Sequence, residues 1–355
     1  MKKQTALGAS ILAGAVLLQA CSTGSENQQN ASGDNNEDQQ AQNEKLDVYT
    51  TLFAWEDFAR QIGGDYVNVE NVVPPGSNAH SFDPTPQTLT NIAEGDLFVM
   101  TGSGMEGFAE EAKSTVDGQD VSVLEVTNNM ELLEASDEHS HNHGEEGHNH
   151  GEEGHSHGEE GHSHGEEGHG HGEEGHSHSH GGVDPHVWLD PVRAQQAAES
   201  IKNELVEQMP EQEETFEENY QALASDLEDV DQGFQDVADN SDSNQFIVSH
   251  AAYGYWEERY GFEQIPVSGI NAQDEPSVKE INEIVATAEE NNINTILLEQ
   301  NIPSQTAETV QEEIGADVAY LHNLSSVMEE DIENDATYVS LMEDNIESLE
   351  QALNN

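Results

Sequence analysis

The sequence predicts an α/β fold: two parallel-sheet lobes joined by one long rigid helix, with a disordered His/Glu/Gly-rich insertion. Three observations lead there. Short apolar runs of strand length alternate with helix-period segments on both flanks of a low-complexity tract. A long helical pattern begins at Asp190-Pro191, between the two alternating regions. Once the ends and the tract are set aside, roughly 260 residues remain, enough for two lobes of ordinary domain size.

The elements follow in order. Leu46 to Leu52 reads as a strand, and a helix follows through Trp55 and Phe58. Tyr66 to Val73 is a second strand, and Thr85-Pro86 is an N-cap with proline at the first helical position. Asp96 to Met100 and Val121 to Leu124 read as buried strands. After the tract, Asp190-Pro191 caps a long helix whose Ile201, Leu205, Val206 and Met209 recur at helical spacing. Pro210 is a kink point, and the pattern resumes through Phe216, Tyr220, Leu223 and Leu227. The second flank gives strands at 245–249, 264–268, 295–298 and 318–321, with helices between them and an acidic helix near 338–353.

The tract repeats Gly-Glu-Glu-Gly-His-x-His between Glu138 and His180. It holds every one of the 18 histidines except His80, His186, His250 and His322. Imidazole suits zinc, copper, nickel and iron, so paired histidines at this density point to metal binding. Glycine and glutamate in every repeat leave no apolar surface to bury, so a mobile loop is expected. An anionic solubilising linker is the plainer alternative.

At the N-terminus Lys2-Lys3 precedes an apolar run from Ala6 to Leu18, too short for a stable membrane span. Leu18-Gln19-Ala20-Cys21 resembles the bacterial lipoprotein signal, which implies lipidation of Cys21. Polar residues from Ser22 to about Glu44 read as a tether. The expected organisation is therefore a signal peptide (1–20), a lipidated cysteine and tether (21–45), an N-terminal α/β lobe (46–137) and a His-rich metal-binding loop (138–182). A metal-ligand segment with the linking helix (183–240) and a C-terminal α/β lobe (241–355) complete it. No second cysteine exists for a disulfide.

Nine Lys and Arg stand against 73 Asp and Glu, a formal net charge of −64. Such a field repels nucleic acid and anionic substrates. Molar salt shortens the Debye length to roughly 3 Å and relieves the self-repulsion. A halophilic host exposing the chain outside the cell is the simplest account.

Three histidines outside the tract sit in unusual settings. His80 follows Pro74-Pro75-Gly76, His186 lies in Asp184-Pro185-His186-Val187-Trp188-Leu189-Asp190-Pro191, and His250 ends the run Phe246-Ile247-Val248-Ser249. Loops at the carboxyl ends of strands are where ligands collect in open α/β sheets. Trp55, Trp188, Tyr253, Tyr255 and Trp256 read as packing around that region.

Those segments carry a resemblance. Pro-Gly-x-x-x-His-x-x-x-Pro-x-Pro, Asp-Pro-His-Val-Trp-Leu-Asp-Pro and Ser-His-x-Ala-Tyr-Gly-Tyr resemble, in the same order, the ligand segments of the zinc-binding solute-binding lipoproteins of bacterial ABC importers, the ZnuA type. The resemblance runs from about Leu46 to the C-terminus. It implies metal held between two lobes by His80, His186 and His250. It also implies a lipid-anchored, extracytoplasmic monomer delivering Zn²⁺ to a membrane permease and its ATPase, with no enzymatic activity. Manganese-binding relatives look to carry a carboxylate where this chain has His250, and three nitrogen donors favour zinc. Several zinc relatives place a glutamate after the last strand, where this chain reads His322-Asn323-Leu324-Ser325-Ser326. Glu299 is then a fourth ligand or an outer partner of an imidazole, with water or His322 as other candidates. Two other functions stay open: a surface zinc buffer or adhesin without a transporter, and a zinc hydrolase using the open position. No His-Glu-x-x-His or Gly-x-Ser-x-Gly motif supports the hydrolase.

Overall fold

The computed structural model describes residues 45–135, 182–273, 276–302 and 304–355. The segments read as a signal peptide and as a tether from Cys21 to Glu44, and the repeat tract, lie outside the described residues. In the first lobe, β1 (Leu46–Thr50), β2 (Val67–Asn71), β3 (Leu97–Met100) and β4 (Ser122–Glu125) form a parallel sheet in the order β2-β1-β3-β4. Every residue of β3 is buried, as expected of a parallel strand covered on both faces. Helices α1 (Phe53–Gly63), α2 (Pro86–Ala93) and α3 (Ala109–Val116) connect the strands. Thr85 caps α2 as expected, its hydroxyl accepting from the Thr88 amide at 3.1 Å with Pro86 behind it.

The second lobe repeats that plan. Strands β5 (Gln245–His250), β6 (Glu263–Ser268), β7 (Thr295–Glu299) and β8 (Asp317–Leu321) are again all parallel, in the order β6-β5-β7-β8. In both sheets the chain reverses direction across the sheet between the two middle strands, which is where an open α/β sheet leaves a crevice for ligand. Around the second sheet lie α6 (Gly254–Tyr260), α7 (Val278–Asn291), α8 (Gln305–Ile314), α9 (Glu329–Glu333) and α10 (Tyr338–Leu353).

Between the lobes, the helical stretch after Asp190 is two helices. Helix α4 (Pro191–Gln208) stops before Pro210, because the residue ahead of a proline avoids helical angles; Met209 has φ −132° and ψ 71°. A 3₁₀ turn (Pro210–Gln212) then turns the chain back into α5 (Glu213–Asn240). Lys202 of α4 meets Glu217 of α5 at 2.9 Å, as in an antiparallel hairpin. The long linking helix is therefore α5, 28 residues and roughly 42 Å long. Near its start it packs on the first lobe, with Phe216 against Tyr66 and the Asn219 amide donating to the Ile62 carbonyl at 2.9 Å. Near its end it packs on the second, with Phe234 stacked on Tyr260 at 5.4 Å and against Trp256 at 4.7 Å.

One apolar cluster runs through both lobes, with Trp55, Phe58, Trp188, Phe234, Trp256 and Tyr338 at its centre. A smaller cluster of Ile247, Val267, Ile296 and Val310 fills the far side of the second sheet. Among the described residues no helix is long and apolar enough to cross a membrane.

Candidate metal centre

The three histidines singled out in the sequence come together. One ligand nitrogen from each of His80, His186 and His250 lies within 4.8 Å of the others. The Nε2 atoms of His80 and His186 are 3.2 Å apart. Two nitrogens on one tetrahedral zinc, each bonded at 2.0–2.1 Å, would stand about 3.3 Å apart. The spacing therefore suits a zinc ion as well as it suits a hydrogen bond.

Each imidazole is held by a different device. His80 sits in the loop after β2, where the Asn78 side chain accepts from its amide at 2.9 Å. Gly76, with φ +70°, lets that loop turn back so that its amide donates to the Val327 carbonyl of the second lobe at 2.8 Å. Burial first, then the neighbouring His186 and His250, push the His80 imidazole down to about 2, so it is neutral at physiological pH.

Asp184 fixes His186: one carboxylate oxygen accepts from the backbone amide at 2.9 Å and from Nδ1 at 2.8 Å. With Nδ1 donating, Nε2 is left unprotonated and faces the cluster. The segment is held to the second lobe along its length. Tyr255 donates to the Asp184 carbonyl at 2.6 Å, Trp256 to the Leu189 carbonyl at 2.7 Å and Tyr338 to the Trp188 carbonyl at 2.5 Å.

His250 closes β5. The β5–β7 register, Ile247 beside Ile296 and Val248 beside Leu297, brings Glu299 alongside it two residues on. One Glu299 oxygen bonds His250 Nδ1 and the other accepts from the Tyr253 hydroxyl at 3.0 Å. The His250 Nε2 is buried and has no hydrogen-bond partner, a costly condition unless something binds it.

Glu299 thus has both oxygens engaged, behind the imidazole and away from the nitrogen cluster. His322 is apart from that cluster. Its Nδ1 accepts from the Leu324 amide at 3.0 Å while Nε2 faces Asp331 at 3.3 Å. Ser325 and Asn323 turn inward on Asn301, so the loop after β8 offers amides and hydroxyls among its own members.

Sequence reasoning gave Asp184 no role, although an aspartate two residues ahead of a histidine in a proline turn is a signal for such a bond. Tyr253 and Tyr255 were read as packing only. Both are fully buried, and both also donate hydrogen bonds into the site. Glu106 escaped notice as well. It is a buried acid that accepts from the Thr51 hydroxyl at 2.6 Å and the Thr101 amide at 2.8 Å, tying together the carboxyl ends of β1 and β3.

Known proteins resemble this chain over most of its length. The zinc-binding lipoprotein AdcA of Streptococcus pneumoniae is 32% identical over 353 residues, which is 99% of this chain and 61% of AdcA. The chain thus spans about three fifths of that relative's length. The high-affinity zinc uptake system protein ZnuA of Bacillus subtilis is 30% identical over 310 residues, 87% of this chain and 88% of the relative. Among solved structures, the Zn(II)-bound ZnuA-like domain of S. pneumoniae AdcA matches with a TM-score of 0.66 and 28% identity, covering 88% of this chain and 100% of that domain. The metal-dependent lipoprotein YcdH of B. subtilis matches with a TM-score of 0.66 and 28% identity, covering 87% of this chain and 99% of YcdH. The family model for ZnuA, the periplasmic component A of the zinc-uptake complex, matches residues 48–352, from the first strand to the last helix, and the chain belongs to that family.

Proposed function

We propose that this chain is an extracytoplasmic zinc-capture protein that holds Zn²⁺ between its lobes through Nε2 of His80, His186 and His250. It hands the ion to the membrane permease of an ABC importer driven by a cytoplasmic ATPase. The observation that carries this reading is the convergence of three imidazoles from three separate segments, one with a buried Nε2 that has no protein partner. Two of the rings are backed by carboxylates, an arrangement typical of zinc-ligating histidine. The similar proteins named above are described as zinc-binding or zinc-uptake proteins, which supports zinc as the cargo. Glu299 orients His250 in this reading, and a solvent molecule fills the fourth position of the tetrahedron. Cys21 carries the lipid anchor, the body from Leu46 onward works as a monomer, and the repeat tract (138–180) gathers zinc at low affinity beside the cleft.

The test is a calorimetric zinc titration in molar salt of the mature protein lacking 138–180, beside the same protein carrying His80→Ala, His186→Ala and His250→Ala. One tight site in the first and none in the second is expected. Absence of a tight site in the first would place zinc binding in the tract and favour a surface buffer over an importer component.

A further inference from the structure

We infer that Asp184 is a positioning residue of the metal centre: it sets the tautomer of His186 and places a buried negative charge behind it. The inference rests on the three-histidine reading and adds a residue that touches no metal. Asp184 is 4% exposed. Its Oδ1 takes two hydrogen bonds from one residue, the backbone amide and the ring Nδ1 of His186, which locks both the turn and the ring orientation. The backbone carbonyl of Asp184 is itself held by Tyr255. A second observation is independent of these bonds. Gly254, at the first turn of α6, lies so close that a Cβ there would come within 2.8 Å of Asp184 Oδ2. Since φ at Gly254 is not among the positive values, space for the carboxylate is what that position requires.

Charge balance gives the arrangement a purpose. A zinc ion on three neutral imidazoles carries two positive charges into a buried site. Asp184 behind His186 and Glu299 behind His250 supply two negative ones, each through a hydrogen-bonded ring. Among the described residues, no carboxylate is paired with the His80 ring. The site thus reaches neutrality without a carboxylate in the nitrogen cluster.

The experiment uses the full mature chain, with zinc competed against a chelator of known affinity so that the tight site is read apart from the tract. Variants are Asp184→Ala, Asp184→Asn, Gly254→Ala, and His186→Ala as reference. Asp184→Ala is expected to weaken the tight site about 10- to 100-fold, the range for loss of a partner behind a metal-bound histidine. Asp184→Asn still accepts the ring N–H but carries no charge, so it should fall between Asp184→Ala and wild type. Gly254→Ala should weaken the site by displacing the carboxylate. A readout specific to positioning is the ¹H–¹⁵N ring spectrum of the zinc-loaded protein. The slowly exchanging Nδ1–H of His186 should be present in wild type and lost in Asp184→Ala. A tight site within twofold of wild type in Asp184→Ala, with that proton retained, would overturn the inference while leaving the three-histidine reading intact. If Asp184→Ala does not fold, Asp184→Asn and Gly254→Ala decide, and wild-type affinity in both would overturn it. Wild-type affinity in His186→Ala would instead overturn the underlying reading.

Discussion

Arg259 grips Asp190 with one edge of its guanidinium, Nε donating to Oδ1 at 2.8 Å and Nη2 to Oδ2 at 2.7 Å. Arg193 reaches the same carboxylate, and the carboxylate also caps α4 through the Val192 amide at 2.9 Å. Arg60, Arg193 and Arg259 are the only arginines in the chain, so two of the three are committed to one buried acid. Together with Trp256 and Tyr338, this hub fastens the segment bearing His186 to the second lobe. His80 belongs to the first lobe, so the cluster straddles the boundary between the lobes.

Breaking that hub should cost stability well before it costs chemistry. Asp190→Ala would strand two arginines and an uncapped helix, and a destabilisation of about 3–5 kcal/mol is expected. Arg259→Ala leaves Arg193 in place and should cost less. Urea unfolding in molar salt measures both, and the double variant should cost less than the sum of the singles. Strict additivity would mean that the pair does not act as a unit.

Acid should destabilise the metal-free protein in a way that depends on His80. Its folded value of about 2 lies below the ordinary 6.5, so between those two pH values the unfolded chain binds a proton that the folded one refuses. The contribution is fully present above pH about 6.5 and is lost progressively as pH falls toward the folded value. Buried Asp57 and Glu106 have raised values and act in the opposite direction, so the informative quantity is the difference between proteins. His80→Asn should lose less stability than wild type between pH 7 and pH 4 in denaturant titrations. Parallel curves would remove His80 as a source of the acid sensitivity.

Zinc should be visible through Trp188 alone. Its ring lies 5.2 Å from the His186 ring, and its Nε1 donates to the Asn323 carbonyl at 2.6 Å. A zinc-dependent change in tryptophan fluorescence should vanish in Trp188→Phe and survive in Trp256→Phe, whose ring packs on Phe234 and Tyr253. Trp188→Phe should also lose about 1–3 kcal/mol by leaving the Asn323 carbonyl unpaired. A retained signal would place the reporter elsewhere.

The sequence disclosed the strands and the three clustered histidines more fully than it disclosed what holds them. Alternating apolar runs and caps such as Thr85-Pro86 and Asp190-Pro191 are local signals, and each fell where the structure places it. The hairpin at Pro210 was only half legible. A proline in a helical pattern announces a break, but the direction taken afterwards depends on Lys202, Glu217 and the apolar faces that meet across the turn. Glu299 is legible as a fourth ligand or an outer partner of an imidazole, but its place behind His250 follows from the β5–β7 register, which no local pattern encodes. Tyr253 and Tyr255 showed their bulk in sequence while their hydroxyl partners, Glu299 and the Asp184 carbonyl, lie far along the chain.

Stability should rise with salt, and the repeat tract should not be the cause. The five Glu-Glu pairs of the repeats account for few of the 73 acids, so repulsion is spread over the folded body. Going from 0.1 M to 1 M salt shortens the screening length from roughly 10 Å to 3 Å, weakening that repulsion. Surface ion pairs such as Lys279–Glu283 would weaken too, but pairs this exposed contribute little to stability. Nine basic residues allow few such pairs against so many acids, so relief of repulsion should win. The melting temperature should therefore climb over this range, equally in NaCl and KCl, and climb nearly as much after deletion of 138–180. A flat or falling melting temperature would show that ion pairing governs the folded body, and loss of the salt effect on deletion would assign the repulsion to the tract.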